Sequence, residues 1–173
     1  PDYINTLKNT YDNYPESKLE SARQELKSAL LVDLPQILPI LQLESLTVCV
    51  VPRAKTNYQS NQLLFKSTIH IVVNQLNGFG NGIDYIVRHT NTKTTHLPAN
   101  TPNYNNNGAV PYPGITIETS KISSNISNKN ILLIDDVYTR EVNIDEDAIQ
   151  ALLDKGANFV AFYAVGRTVY RQF

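Results

Sequence analysis

The sequence predicts an α/β fold: a mostly parallel five-stranded sheet flanked by helices, preceded by an N-terminal helical segment. Two observations carry this reading. Residues 47–51 (Thr-Val-Cys-Val-Val) form a β-branched run and residues 130–134 (Asn-Ile-Leu-Leu-Ile) an apolar one after its first residue, both without polar alternation, as in strands buried on both faces. Stretches of helical periodicity separate such runs, giving the order strand, helix, strand, loop, strand, strand, helix, strand.

The elements follow in order. Residues 15–30 read as a helix, with Ser17 and Glu20 spaced as a capping box and Leu19, Ala22, Leu26, Ala29 and Leu30 on one face. Pro35 and Pro39 interrupt the apolar stretch 30–43, where a short helix or turn is expected. Pro52 ends the strand at 47–51. Over 59–75 the pattern turns helical, and Gly78, Gly80 and Gly82 end it; His70 falls within the apolar face and reads as a packing histidine. Short strands are expected at 84–87 and 115–117, with an Asn-rich exposed loop near 100–107. The strand at 130–134 ends in Asp135-Asp136. Asn143 and Glu146 resemble an N-terminal cap for a helix reaching about Lys155, with Gly156 as its stop, and 158–165 supplies the fifth strand. The division expected is 1–44 as a helical hood or partner contact and 45–173 as the α/β domain.

Composition excludes several classes. The 173 residues suit one domain, and 42% hydrophobic with 18% charged residues can build a core. A net charge of −1 disfavours bulk neutralisation of nucleic-acid phosphates and leaves only a local patch open. A single cysteine, Cys49, excludes an internal disulfide and a Cys-based zinc site; within a buried strand it reads as a small hydrophobe. No apolar run is long enough to span a bilayer and no signal segment opens the chain, so a reducing cytoplasm is expected. The chain starts at Pro1 and has no Met, which suggests a processed, trimmed or partial form of a longer product.

In parallel sheets, ligands bind beyond the carboxyl ends of the strands. Three segments reach such ends: 52–55, 88–96 and 135–143. The adjacent carboxylates Asp135 and Asp136 are costly there unless solvated, metal-bound or paired with ligand hydroxyls. Acceptor carboxylates can bind vicinal ribose hydroxyls or hold Mg²⁺ through water. The loop and helix start that follow offer N–H groups to an anion, so a sugar phosphate satisfies both halves. A solvated acidic strand end is the plainer alternative. The run Asp145-Glu146-Asp147 suits the first turn of a helix and reads as structural.

The stretch Ile131-Leu132-Leu133-Ile134-Asp135-Asp136-Val137-Tyr138-Thr139 resembles the phosphoribosyl-diphosphate (PRPP) binding motif of type I phosphoribosyltransferases. In that motif a hydrophobic strand runs into Asp-Asp, a Thr-Thr-Gly phosphate loop and a helix. The resemblance implies that Asp135 and Asp136 are the catalytic pair, engaging the ribose hydroxyls and organising Mg²⁺. It implies a 5′-phosphate loop at Thr139, Arg140, Glu141, Val142 and Asn143, and a pyrophosphate loop at Arg53, Ala54 and Lys55. Tyr58-Gln59-Ser60-Asn61-Gln62 and Arg88-His89-Thr90-Asn91-Thr92 look like the ComF-type branch, so Arg88, Lys93 and His96 fall on the flap. The likeness covers roughly residues 47–167.

The chain departs from the pattern at Thr139-Arg140-Glu141, where the family has Thr-Thr-Gly. A Glu141 carboxylate about 5 Å from a phosphate would cost roughly 3 kcal/mol per unit charge at an effective dielectric near 20. That removes about two decades of affinity unless Glu141 turns away and Arg140 donates to the phosphate. Three readings stay open. One is a transferase that moves phosphoribosyl from PRPP to a nitrogenous base or amine, with Mg²⁺ as cofactor. Another is a non-catalytic PRPP- or nucleotide-binding module in a regulatory, DNA-uptake or defence system. The third is an α/β domain whose acidic pair holds only a metal. Tyr104, Tyr112 and the prolines at 111 and 113 read as a surface loop with scattered aromatics, or as a lid or a stacking contact for a base, and Tyr163, Arg167, Tyr170 and Arg171 as the base side of the cleft or a subunit contact. Homodimers are common among proteins of this resemblance.

Overall fold

The computed structural model describes residues 2–94, 102, 104–108, 115–139 and 143–168. Their helices are α1 (Tyr3–Lys8), α2 (Glu16–Leu41), α3 (Leu64–Val73) and α4 (Ile144–Asp154). The strands are β1 (Leu46–Val50), β2 (Phe79–Asn81), β3 (Ile86–Arg88), β4 (Ser120–Ile122), β5 (Asn130–Tyr138) and β6 (Phe159–Arg167). A parallel sheet runs β2-β1-β5-β6, and β3 and β4 form a separate antiparallel ribbon. The fold is therefore α/β with a mainly parallel sheet flanked by helices. The sheet has four strands among the described residues, not five.

Alternation along the central strands builds two cores. Val48, Val50, Leu132 and Ile134 face α2 and α3, where they meet Leu26, Leu30, Leu34, Ile69 and Val72. Cys49, Ile131 and Leu133 face the opposite side, with Ile86, Ile115, Ala148 and Leu152. Burial on both faces explains the unbroken apolar runs. Cys49 is fully buried, as its strand position implied. α1 and α2 lie N-terminal to the sheet, and α2 forms one layer of the core itself.

Several local expectations need correction. Pro35 and Pro39 do not break α2, which runs 26 residues. Leu31, Pro35 and Pro39 are exposed, so carbonyls deprived of an N–H partner face water. The stripe Ala22, Leu26, Leu30 and Leu34 packs into the core shared with β1 and β5 from the other side. The Ser17–Glu20 box does not form: Pro15 occupies the N-cap, and Glu20 bonds Arg23 at 3.0 Å and Gln24 at 2.7 Å. His70 is exposed, because α3 buries Phe65, Thr68, Ile69, Val72 and Val73. Its apolar stripe is rotated from the one expected.

The segment 84–87 contributes to β3, outside the parallel sheet. Residues 115–117 are not a strand; Ser120 N–H bonds Thr116 O at 2.7 Å and Thr116 N–H bonds Thr119 Oγ1 at 3.1 Å, closing a turn. Residues 79–81, read as part of a glycine-rich helix stop, are instead the edge strand β2. Asn143 makes no side-chain cap, and Glu146 accepts from the Tyr138 hydroxyl at 3.2 Å. Gly156 does terminate the α4 region, at φ +95°. Among the described residues, no helix is long and apolar enough to cross a membrane.

Candidate functional site

β1 and β5 part company at the acidic pair. β1 stays in register with β5 up to Val50↔Ile134, and Val51 N–H adds a last bond to Ile134 O at 3.0 Å. β5 then continues alone beside β6, with Asp135 opposite Ala164 and Tyr138 opposite Arg167. Asp135 and Asp136 therefore sit within a strand, not beyond its end as expected. The edge that β1 abandons opens a cleft of about 370 Å³. Its walls bring together Asp135 and Asp136, the loop carrying Arg53 and Ala54, and Arg88 and Lys93. A second cavity of about 310 Å³ adjoins it, sharing Lys8, Arg53, Tyr58, Arg88 and Asp136 and adding Lys55, Phe65 and Ile86. Parts of three segments singled out from sequence thus meet at one cleft: β1 and β3 deliver Arg53, Arg88 and Lys93 at their carboxyl ends, and β5 presents the acidic pair from within the strand.

The two aspartates differ. Asp136 forms an ion pair with Lys8, Nζ to Oδ1 2.9 Å, with the two side chains only 13% and 20% exposed. Asp135 pairs with Asp145. Burial first, and then the nearby Asp136 and Asp145 charges, push the Asp135 carboxyl well above the usual range. Burial likewise raises Asp145 to about 6, while its hydrogen bond with Asp135 pulls the other way. The hydrogen bond between them runs from Asp135 to Asp145, which adds to the rise of Asp135 and opposes that of Asp145, while burial raises both. Asp145, read from sequence as a helix-dipole residue, is 5% exposed, and its Oδ1 has no hydrogen-bond partner. It is part of the acidic site.

The basic residues are engaged. The Arg53 guanidinium donates to Lys8 O at 2.7 Å, Gln62 O at 2.6 Å and Thr10 Oγ1 at 3.3 Å, and lies 4.0 Å above the Tyr58 ring centroid. Lys55 donates to Thr92 O at 2.8 Å and to Asn107 O. Arg88 is 7% exposed and donates to Arg53 O at 2.7 Å; burial lowers it to about 10. The Ala54 carbonyl accepts from Thr92 N–H at 2.8 Å. The loop at 52–55 is thereby tied to both the N-terminal turn and the segment following β3. Lys93 is exposed on the cleft wall.

Of the expected phosphate loop, Thr139 bonds Thr168 between hydroxyls at 3.0 Å, and Asn143 O accepts from Asp147 N–H at 2.9 Å. Arg140, Glu141 and Val142 lie outside the described residues, as do His96, Tyr112, the prolines at 111 and 113, Tyr170 and Arg171. Tyr104 bonds Thr94 at 2.7 Å and meets Tyr11 edge-on at 6.4 Å; it also bonds Tyr58, whose hydroxyl burial pushes up to about 12. Tyr163 turns away from the cleft and donates to Asp33 on α2 at 2.6 Å.

Sequence reasoning missed Lys8, Tyr58 and Asp145 as members of the site. Lys8 ends a six-residue helix too short to show periodicity. Asp145 follows the acidic pair by about one loop, and that proximity is the signal available in the sequence. For metal binding, no group of three or more His, Cys, Asp or Glu side chains among the described residues is arranged to hold an ion. The carboxylates suit Mg²⁺ only as water-mediated partners of an ion carried largely by its ligand's phosphates. No protein-family model matches the chain, and no curated protein matches it.

Proposed function

We propose that this cleft binds PRPP with Mg²⁺ and transfers the phosphoribosyl group to a nitrogenous base or amine. One observation carries the reading: an acidic pair on a buried parallel strand, a strand-end loop with Arg53 and Lys55, and the segment from Arg88 to Lys93 border a shared cleft system. In this reading Asp136 and Asp135 orient the ribose through its hydroxyls. The C1–O bond to pyrophosphate breaks with its electron pair leaving on the pyrophosphate, the C1–N bond forms, and the acceptor nitrogen's proton passes to the released pyrophosphate or to solvent. Mg²⁺, when bound, neutralises charge on the departing pyrophosphate. In this reading Lys93, exposed on the cleft wall, contacts that group, Lys55 does so on releasing the Thr92 and Asn107 carbonyls, and Arg88 holds the loop carbonyl of Arg53. The enclosing walls fix the reacting atoms, which is where such a transfer gains most of its rate.

A second reading, a PRPP- or nucleotide-binding module without turnover, is favoured by Arg53. Its guanidinium is committed to two backbone carbonyls instead of reaching into the cleft. The change from Thr-Thr-Gly to Thr139-Arg140-Glu141 points the same way. Titration calorimetry of PRPP with Mg²⁺ into the protein and into Asp135→Asn/Asp136→Asn tests the site. Micromolar binding lost in the double variant supports it, and pyrophosphate release on screening acceptors selects the transferase. Absence of PRPP binding by the folded protein refutes the transferase, and absence of nucleotide binding as well refutes the binding module.

A further inference from the structure

We infer that Lys8, delivered by the N-terminal helix, is a built-in cation of the cleft that takes up phosphoryl oxygens of the bound ligand. This rests on the proposed phosphoribosyl reading for the identity of the ligand. Lys8 borders both cavities, and its ammonium is 2.9 Å from Asp136 Oδ1. An ammonium has three donors, and Asp136 accounts for one. An anion entering beside Asp136 meets the remaining two at charge-assisted hydrogen-bond range.

The placement of Lys8 is built by contacts that converge on its turn. Arg53 holds the Lys8 carbonyl at 2.7 Å and Thr10 Oγ1 at 3.3 Å. Gln62 Nε2 donates to Asn9 O at 3.1 Å and Thr10 O at 3.3 Å, and Asn61 Nδ2 donates to Asp12 Oδ1 at 2.5 Å. Ile4 and Leu7 anchor the same helix from below, at 2% and 0% exposure. A six-residue helix has little stability of its own, so these contacts set where its last residue lies. They set it against Asp136, in a cleft whose carboxylates do not form a metal cage among the described residues. A fixed lysine there supplies positive charge without a desolvated metal site.

The test uses Lys8→Gln, which keeps a donor for Asp136 but no charge, and Lys8→Arg, which keeps the charge. Both are compared with the unaltered chain for calorimetric binding of PRPP with Mg²⁺ and of inorganic pyrophosphate without Mg²⁺, after thermal melts confirm folding. The expected result is that Lys8→Gln weakens both ligands by about tenfold or more while Lys8→Arg stays within about threefold. PRPP binding unchanged in Lys8→Gln overturns the role of Lys8 and leaves the phosphoribosyl reading standing. Pyrophosphate binding that depends on Lys8, in a protein that ignores PRPP, retains Lys8 and overturns the phosphoribosyl reading. A protein that binds neither overturns both.

Discussion

Replacing Arg53 with Met keeps the aliphatic stem and removes the guanidinium that joins the loop after β1 to the N-terminal turn. Two of the lost bonds are short, 2.7 Å to Lys8 O and 2.6 Å to Gln62 O, and the third is a longer contact to Thr10. Hydrogen bonds from a charged donor are worth about 1.5–3 kcal/mol each, and the cation over Tyr58 adds about 0.5–1 kcal/mol. Water can reach the freed carbonyls through the cleft, so the sum is tempered to about 3–4 kcal/mol. Domains of this size have about 5–15 kcal/mol in total, so the loss is large. Urea unfolding followed by circular dichroism measures it, and native-state hydrogen exchange locates it. The amide of Asn9, bonded to Asn5 O and Thr6 O, should exchange faster through local undocking of α1, while β1 and β5 amides track only the global loss. Arg53→Lys should fall between the two, since an ammonium cannot span both carbonyls and stack on Tyr58. A Met variant within about 1 kcal/mol of the parent, with Asn9 exchange unchanged, refutes the reasoning. It would free the guanidinium for a ligand anion.

Asp145→Asn should flatten the pH dependence of stability. The folded-state value of about 6, raised from the ordinary 3.8, means the wild-type carboxyl favours folding at low pH and loses that contribution as pH rises through about 4–6. The shift of about two units corresponds to at most about 3 kcal/mol, reduced by partial solvent screening to about 1–2 kcal/mol. Urea midpoints at pH 4 and pH 8 should therefore show a gain for the variant only at pH 8; an equal difference at both would contradict a carboxyl raised by burial. Gly78→Ala should destabilise by about 2–3 kcal/mol, because the position has φ +82° and a Cβ would lie 2.7 Å from Leu38 Cδ1 and 3.0 Å from Glu44 O. Thermal melts settle this, and a neutral result would mean that the α2–β1 junction yields freely. Cys49 should resist thiol reagents in the native protein and react once denatured, since burial pushes its thiol up to about 12. Prompt native-state labelling would show that the β1 core opens.

Local pattern alone locates the central strands, the helices α3 and α4, the first half of α2, and the segments that carry the charged residues of the cleft: 52–55, 88–96 and the acidic pair. These depend on period and run length, which are local properties of the chain. The remainder follows from packing between distant segments. α2 passes through two prolines because its buried leucines are held by the sheet while its proline side faces water. The 84–87 segment leaves the parallel sheet because 120–122 offers it an antiparallel partner. Asp135 and Asp136 fall within β5 because β6 extends beyond β1, a comparison of strand lengths that neither strand encodes alone. Lys8 and Asp145 join the site from opposite ends of the chain. A carboxyl's neighbours depend on which segments are packed around it, and only the folded chain brings Lys8 to Asp136 and Asp145 to Asp135.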